Sequence, residues 1–269
     1  MTIQRGNDNQ FTSASWDAMN SWFEGDLGRH LLSAERALVE PMLNRRFGYH
    51  LLQLGCADLL LHDNSPVGHK FSFRTWPAQA HCHTAIARGE AIPLRNDSVD
   101  LVLLHHALDF SAQQHQLLRE AARVLIAGGH LVCIGFNPRS VWGMRGRVQR
   151  WTGKQSVPWQ AAMLGPRRLT DWLALLDFQV EQLRYGVYSL PVDAARVIRY
   201  SGVLEGLAGR LNWPTGAVYA ISARKQVLPL TPVQSAWRRL PVPGLGIALP
   251  EKATCNGNNI HKRDGDDAV

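Results

Sequence analysis

The stretch "IPLRNDSVDLVLLHHALDFSAQQHQLLREAARVLIAGGHLVCIGF", residues 92–136, decides the fold of this chain. It holds two short apolar runs, residues 100–105 and 130–136, that carry side chains suited to burial on both faces. Such runs are expected of parallel strands covered by helices on either side. Between them, residues 113–125 ("QQHQLLREAARVL") place Leu117, Leu118, Ala121, Val124 and Leu125 on one helical stripe. The "AGG" that follows is expected to stop that helix, Gly128 and Gly129 supplying a left-handed residue at little steric cost. Strand, helix and strand in this order predict an α/β doubly wound sheet, with ligands at the carboxyl ends of its strands.

Working outward, further strands are expected at residues 50–54, 69–73 and 83–87 before this core, and at 178–185 and 217–224 after it. Residues 28–43 recur in apolar character near helical spacing, with Pro41 implying a break or a new helical start. A second short helix is expected at 168–176 and a helical insertion at 187–214. The organisation predicted is an N-terminal disordered stretch and helical extension (1–48), one α/β domain (49–225) and a disordered tail (226–269) rich in Pro, Gly, Asn and charge.

The 269 residues suffice for one large domain with a sizeable core. With 45% hydrophobic and 19% charged residues the composition is that of a globular protein. No apolar stretch near the N-terminus could act as a signal peptide, and none elsewhere reaches the length of a membrane span. Cys56, Cys82, Cys133 and Cys255 form no CxxC pair, which argues against a disulfide framework or a standard zinc site. These features point to a cytoplasmic protein. A formal charge of +7 favours acidic partners, among them RNA, an anionic membrane surface or a negatively charged substrate.

The segments "IPLRNDSVD", "HALDF" and "REAARVLIAGG" resemble, in the same order, the elements around the fourth and fifth strands of class I S-adenosylmethionine-dependent methyltransferases. "WLALLDFQVEQL" and "GAVYAISARK" resemble that family's late helix and its last two strands. The resemblance runs from about Tyr49 to Lys225 and looks like an uncharacterised bacterial branch of the methyltransferase type 11-like group. It implies a Rossmann-like, mostly parallel seven-stranded sheet with N-terminal helices. It also implies S-adenosylmethionine as cofactor and methyl transfer to an unknown acceptor, small or lipophilic.

The implied cofactor residues are Gly55, Cys56, Ala57, Gly89, Glu90 and His105. The glycine loop is degenerate, since Ala57 and Leu59 stand where the family has glycines. Gln53 replaces an acid before it, Arg74 and Thr75 replace the ribose-holding acid, and Arg88 replaces an acid near the adenine. The segment behind the loop reaches Asn64, Ser65 and Pro66 so soon that its helix is limited to about two turns. These departures raise an alternative: a catalytically inactive methyltransferase-fold protein that binds a partner, an acidic surface or RNA.

His105 and His106, at the end of the fourth strand, are candidates for a general base. The competing reading is a polar strand end with one buried, hydrogen-bonded histidine. Asp109 aligns with a family Glu and also fits a structural cap. His81, Cys82 and His83 lack further ligands nearby, so no metal site is assigned. Residues 137–159, "NPRSVWGMRGRVQRWTGKQSVPW", within a basic amphipathic segment (137–165), carry Arg139, Arg145, Arg147, Arg150 and Lys154 and no acid. Val141, Met144, Val148 and Trp151 share a helical stripe. Asn137 to Trp159 therefore suits an anionic membrane surface or an acidic partner, or else a local lid packed on the core. No RNA-binding motif accompanies the charge.

Overall fold

The computed structural model describes residues 13–55, 60–74, 85–152, 159, 161–188 and 213–226. Two N-terminal helices, α1 (Ser13–Glu24) and α2 (Asp26–Leu43), precede β1 (His50–Gly55), β2 (His69–Arg74), β3 (Ala85–Ile86) and β4 (Val99–His105). Then come α3 (Ala107–Phe110), α4 (Gln114–Val124), β5 (Leu125–Phe136), α5 (Val141–Trp151), α6 (Pro166–Leu175), β6 (Phe178–Gly186) and β7 (Val218–Lys225). The strands form one seven-stranded sheet in the order β3-β2-β1-β4-β5-β7-β6. The paired strands β1–β5 run parallel, and β7 is antiparallel to both of its neighbours. This is the doubly wound sheet expected from residues 92–136.

Alternation along the strands separates two apolar layers. Leu52, Leu54, Val102, Leu104, Leu131 and Cys133 face one side and pack with Leu117, Leu118 and Ala121 of α4 and Leu169 and Leu173 of α6. Leu51, Leu101, Leu103, Val132 and Ile134 face the other, against Val39, Met42 and Leu43 of α2. Two side-chain devices hold the strands in place. Asp100 Oδ2 accepts the amides of Tyr49 and His50, each at 2.9 Å, and so ties the start of β1 to β4. Arg123 of α4 donates to the carbonyls of Ile92 and Leu94 and to Asn96 Oδ1, holding the turn that feeds β4.

Three local expectations are corrected. Pro41 does not break the leading helix; it lies in the last turn of α2, which runs on to Leu43. A proline there forfeits one amide bond near the helix end, where fewer turns remain to disturb. No helix forms over residues 60–68; Leu61 and Val67 join the layer under α2, so the N-terminal helix covers that face in place of a crossover helix. Finally, α4 ends at Val124, ahead of "AGG", and β5 begins at once with Leu125. Gly128 does take the left-handed conformation (φ +78°), within the irregular start of β5.

Helix α1 folds back on α2 through Gly28. A side chain there would lie 2.3 Å from the carbonyl oxygen of Trp22, so the close approach needs glycine. That fold-back sets Phe23, Leu27 and Leu31 against Phe136 and Trp142, over the carboxyl end of the sheet. Of the anticipated insertion (187–214) and tail (226–269), residues 189–212 and 227–269 lie outside the described residues, as do 1–12, 56–59, 75–84, 153–158 and 160.

Candidate cofactor site and a buried histidine–carboxylate network

Between β1 and β4 the chain changes direction across the sheet, and the crevice at the carboxyl ends of those strands is where open α/β sheets bind ligands. Gly55 ends β1 there with φ +122° and bridges to His106. A Cβ at position 55 would stand 1.9 Å from the carbonyl oxygen of His105, so the crossing of the two strand ends excludes any other residue. Cys56 and Ala57 follow outside the described residues. Gln53 is wholly buried and accepts the amide of Leu61 at 3.1 Å. Its amide therefore pins the returning chain beneath the turn.

Arg74 pairs in register with Gly55 at the end of β2 and is buried. At the end of β3, Arg88 to Ala91 form a tight turn closed by the amide of Ala91 on the Arg88 carbonyl. Gly89 is buried inside it, Arg88 is exposed, and Glu90 accepts Ser111 Oγ at 3.2 Å. Gly55, Gly89, Glu90 and His105 thus lie on strands or turns at the carboxyl edge of the sheet. His81, Cys82 and His83 fall outside the described residues.

The histidine pair is buried and hydrogen-bonded, one of the readings open from the sequence, through a partner that the sequence did not reveal. His105 follows Leu101 and Leu103 on the face toward α2, and its Nε2 donates to Glu35 Oε2 at 2.9 Å. His106 has φ +50°, uncommon for a non-glycine residue, and turns its Nε2 to Glu35 Oε1 at 2.7 Å. Its Nδ1 meets Asp109 Oδ2 at 2.9 Å, and that oxygen also accepts the amide of Phe136 at 2.9 Å. The His106 ring stacks on Phe136 with centroids 4.1 Å apart. Glu35, His105 and His106 are completely buried and Asp109 nearly so.

Burial alone would push the Glu35 carboxyl up, but the charge of His106 and the bonds from both histidines outweigh it and hold it down at about 2. Burial opposes a charge on His106 too, yet Glu35 and the bond to Asp109 raise it to about 9. Burial pushes Asp109 up, against the bond and charge of His106. At neutral pH the centre of the network is a Glu35 carboxylate facing a doubly donating His106 cation.

Glu35 was missed in the sequence. Its signal is an acid inside an apolar stripe, four residues after Leu31 and four before Val39. One carboxylate oxygen and the two Nε2 atoms lie within 4.8 Å of one another, close enough to meet a cation. Metal-bound histidines normally give their second ring nitrogen a hydrogen-bond partner. His105 Nδ1 has none among the described residues, while Glu35 already takes a hydrogen bond from each histidine. The donor set fits shared protons better than a metal.

The model of the methyltransferase domain matches residues 47–133. YafS of Escherichia coli (strain K12), itself described as an uncharacterized protein, is 30% identical over 217 residues, covering 80% of this chain and 84% of YafS. A SAM-dependent methyltransferase from Thermotoga maritima superposes with a TM-score of 0.59 at 16% identity, covering 79% of this chain and all of that one. The methyltransferase in complex with the Haloferax volcanii Trm112 activator gives 0.57 at 19% identity, with 81% and 98% covered. At such identities the structures show the fold. The sheet order and the matched domain define a protein of the class I methyltransferase fold that carries a methyltransferase domain. Within that class the chain belongs to the same family as YafS.

Proposed function

We propose that this protein binds S-adenosylmethionine at the carboxyl edge of β3, β2, β1 and β4 and transfers its methyl group to a small or lipophilic acceptor. The observation that carries the reading is the Gly55 turn at the β1–β4 crevice, with φ +122° and the end of β4 packed directly on it. The glycine lets the ends of β1 and β4 cross this closely and so shapes the crevice at the strand ends, where open α/β sheets bind ligands. The turn at Gly89 and Glu90 offers backbone groups and one carboxylate at the adenine end. Arg74 stands at the ribose end in place of an acid, so hydroxyl recognition there falls to backbone groups or to other residues of the edge. The bound cofactor supplies an electrophilic methyl on a sulfonium.

The chain's own work is then to position the acceptor and exclude water, which is most of what a methyl displacement requires. Phe23 of α1 stands beside the His105 and His106 rings, and Trp142 of α5 packs against Trp22. His106 and His105, bonded to Glu35, position the end of β4 and fix the path of its backbone around Gly55. The exposed side of α5 would be the surface on which a membrane or acidic partner is met.

Isothermal titration of the folded protein with S-adenosylmethionine and S-adenosylhomocysteine tests the reading. Saturable heat with both ligands is expected. No heat at millimolar ligand would overturn it and leave a non-catalytic binding protein on a methyltransferase scaffold.

A further inference from the structure

Helix α5 has two opposite apolar faces, and one of them is left exposed among the described residues. On the inner side Trp142 is buried between Trp22 and Trp159, with ring centroids at 6.3 and 5.5 Å, and Gly143 and Gly146 let the helix lie close to its neighbours. On the outer side Val141, Met144, Val148 and Trp151 are 52%, 58%, 58% and 89% exposed. At about 100° per residue these four side chains fall within a stripe about 80° wide, pointing away from Trp142 and Gly146. A surface helix of a globular protein normally turns such a stripe inward. Here the stripe is additional to a complete inner face, so the lid-on-the-core reading of this segment accounts for one side of α5 alone.

The charges beside the stripe select what would cover it. Arg145 and Arg147 flank it, each about 80° from its centre. Arg147 donates to the Pro138 carbonyl at 2.7 Å, and the Arg145 guanidinium lies 5.0 Å from the Trp159 ring. Both are exposed. The sequence contains no Asp or Glu between Glu120 and Asp171, while Arg139, Arg150, Lys154, Arg167 and Arg168 all fall in that interval. Ser140 caps the helix, its Oγ accepting the amide of Gly143 at 3.1 Å, so α5 is held as a helix rather than induced by a partner.

We propose that α5 docks this protein on an anionic lipid bilayer, with Val141, Met144, Val148 and Trp151 entering the headgroup–acyl boundary and Arg145 and Arg147 meeting lipid phosphates beside them. An aliphatic stripe with a terminal tryptophan and flanking arginines matches the amphipathic helices that lie in that interface. A bare aliphatic face gains nothing from RNA, which rewards phosphate contacts and base stacking instead. An acidic protein partner would leave Trp151 and its neighbours without an apolar counterpart. Docking in this way sets the helix that follows β5 on the bilayer, on the same carboxyl side of the sheet as Gly55. The consequence for a lipid-dissolved acceptor rests on the proposed methyl transfer, whereas docking itself rests on α5.

The test is flotation of the full-length protein with vesicles of phosphatidylcholine alone, of phosphatidylcholine with phosphatidylglycerol, and with a single-stranded RNA arm read by gel shift. No cofactor is added, so a failed titration with S-adenosylmethionine leaves this result independent. The wild type is expected to float with the anionic vesicles and to lose at least tenfold of that binding on neutral ones. The double variant Met144→Ser/Trp151→Ser removes exposed side chains and should fold normally by circular dichroism, yet lose at least tenfold. Arg147→Glu should lose binding to anionic vesicles while Arg147→Lys retains most of it. Absence of flotation by the wild type, equal flotation of wild type and double variant, or binding confined to RNA would each overturn the proposal.

Discussion

Replacing Glu35 by Gln keeps the shape of the side chain and removes its charge, which isolates what the buried carboxylate does. In the folded chain His106 holds its proton up to about pH 9, against an ordinary value of 6.5. A pKa gap of that size corresponds to about 3 kcal/mol of stability at 1.36 kcal/mol per pH unit. Because the folded value is the higher one, that contribution is complete below pH 6.5 and is lost as the pH rises through about 9. Glu35, held down at about 2 from 4.5, reports largely the same ion pair from the other side; its contribution is present above pH 4.5 and lost as the pH falls through about 2. Asp109, pushed up by burial, acts in the opposite sense to Glu35: the folded chain holds its proton more tightly, so its own contribution falls as the pH rises past 3.8. The contribution of the Glu35–His106 pair is at its maximum between about pH 4.5 and 6.5.

In Glu35→Gln the His106 cation keeps Asp109 but loses its main counter-charge. Breaking one side of a buried pair typically costs about 3–5 kcal/mol, and the amide recovers part of the hydrogen bonding. A loss of about 2–4 kcal/mol at pH 6 is expected, or about 4–16 °C in Tm for a domain of this size. Urea titrations at pH 6 and pH 9 give both quantities for each protein. The wild type should lose about 3 kcal/mol between them, and the variant markedly less because its His106 titrates lower. The reasoning is refuted if Glu35→Gln matches the wild type within about 0.5 kcal/mol at pH 6, or if the wild type shows no alkaline loss.

Gly55→Ala should prevent folding or reduce stability by at least about 3 kcal/mol, because φ +122° and a carbonyl 1.9 Å from the new Cβ cannot both be relieved. A folded variant with an unchanged midpoint in thermal melts would contradict the crossing described at β1 and β4. Arg123→Ala releases the carbonyls of Ile92 and Leu94 together with Asn96, and should cost about 1–3 kcal/mol. Faster amide exchange confined to residues 92–98 would locate that loss, and unchanged exchange there would argue against the staple.

The order of elements could be read along the chain because each announces itself locally. Residues 100–105 and 130–136 are apolar on both faces, and residues 114–124 turn one apolar stripe inward, whatever surrounds them. Gly55 was legible for a similar reason, since a glycine ending an apolar run marks a turn. The first crossover was less legible, because Asn64, Ser65 and Pro66 signal a break without saying what covers the sheet in its place. That role passed to α2, an element before β1 in sequence, through Leu61 and Val67.

The site divides in the same way. Sequence alone determined the doubly wound sheet, the crevice beside Gly55 and the apolar stripe along α5, though not that the stripe is exposed, because period and local turn chemistry are properties of neighbouring residues. It also placed His105 and His106 at the end of β4 and offered a buried, hydrogen-bonded histidine as one of their readings. Only the tertiary structure decided which partner those histidines have. Glu35 lies 70 residues away from His105 in the chain, and a lone acid in an apolar helical stripe has no meaning until the helix is docked. Docking α2 over β4 removes water from all three groups together, and their mutual charges then set which of them holds a proton.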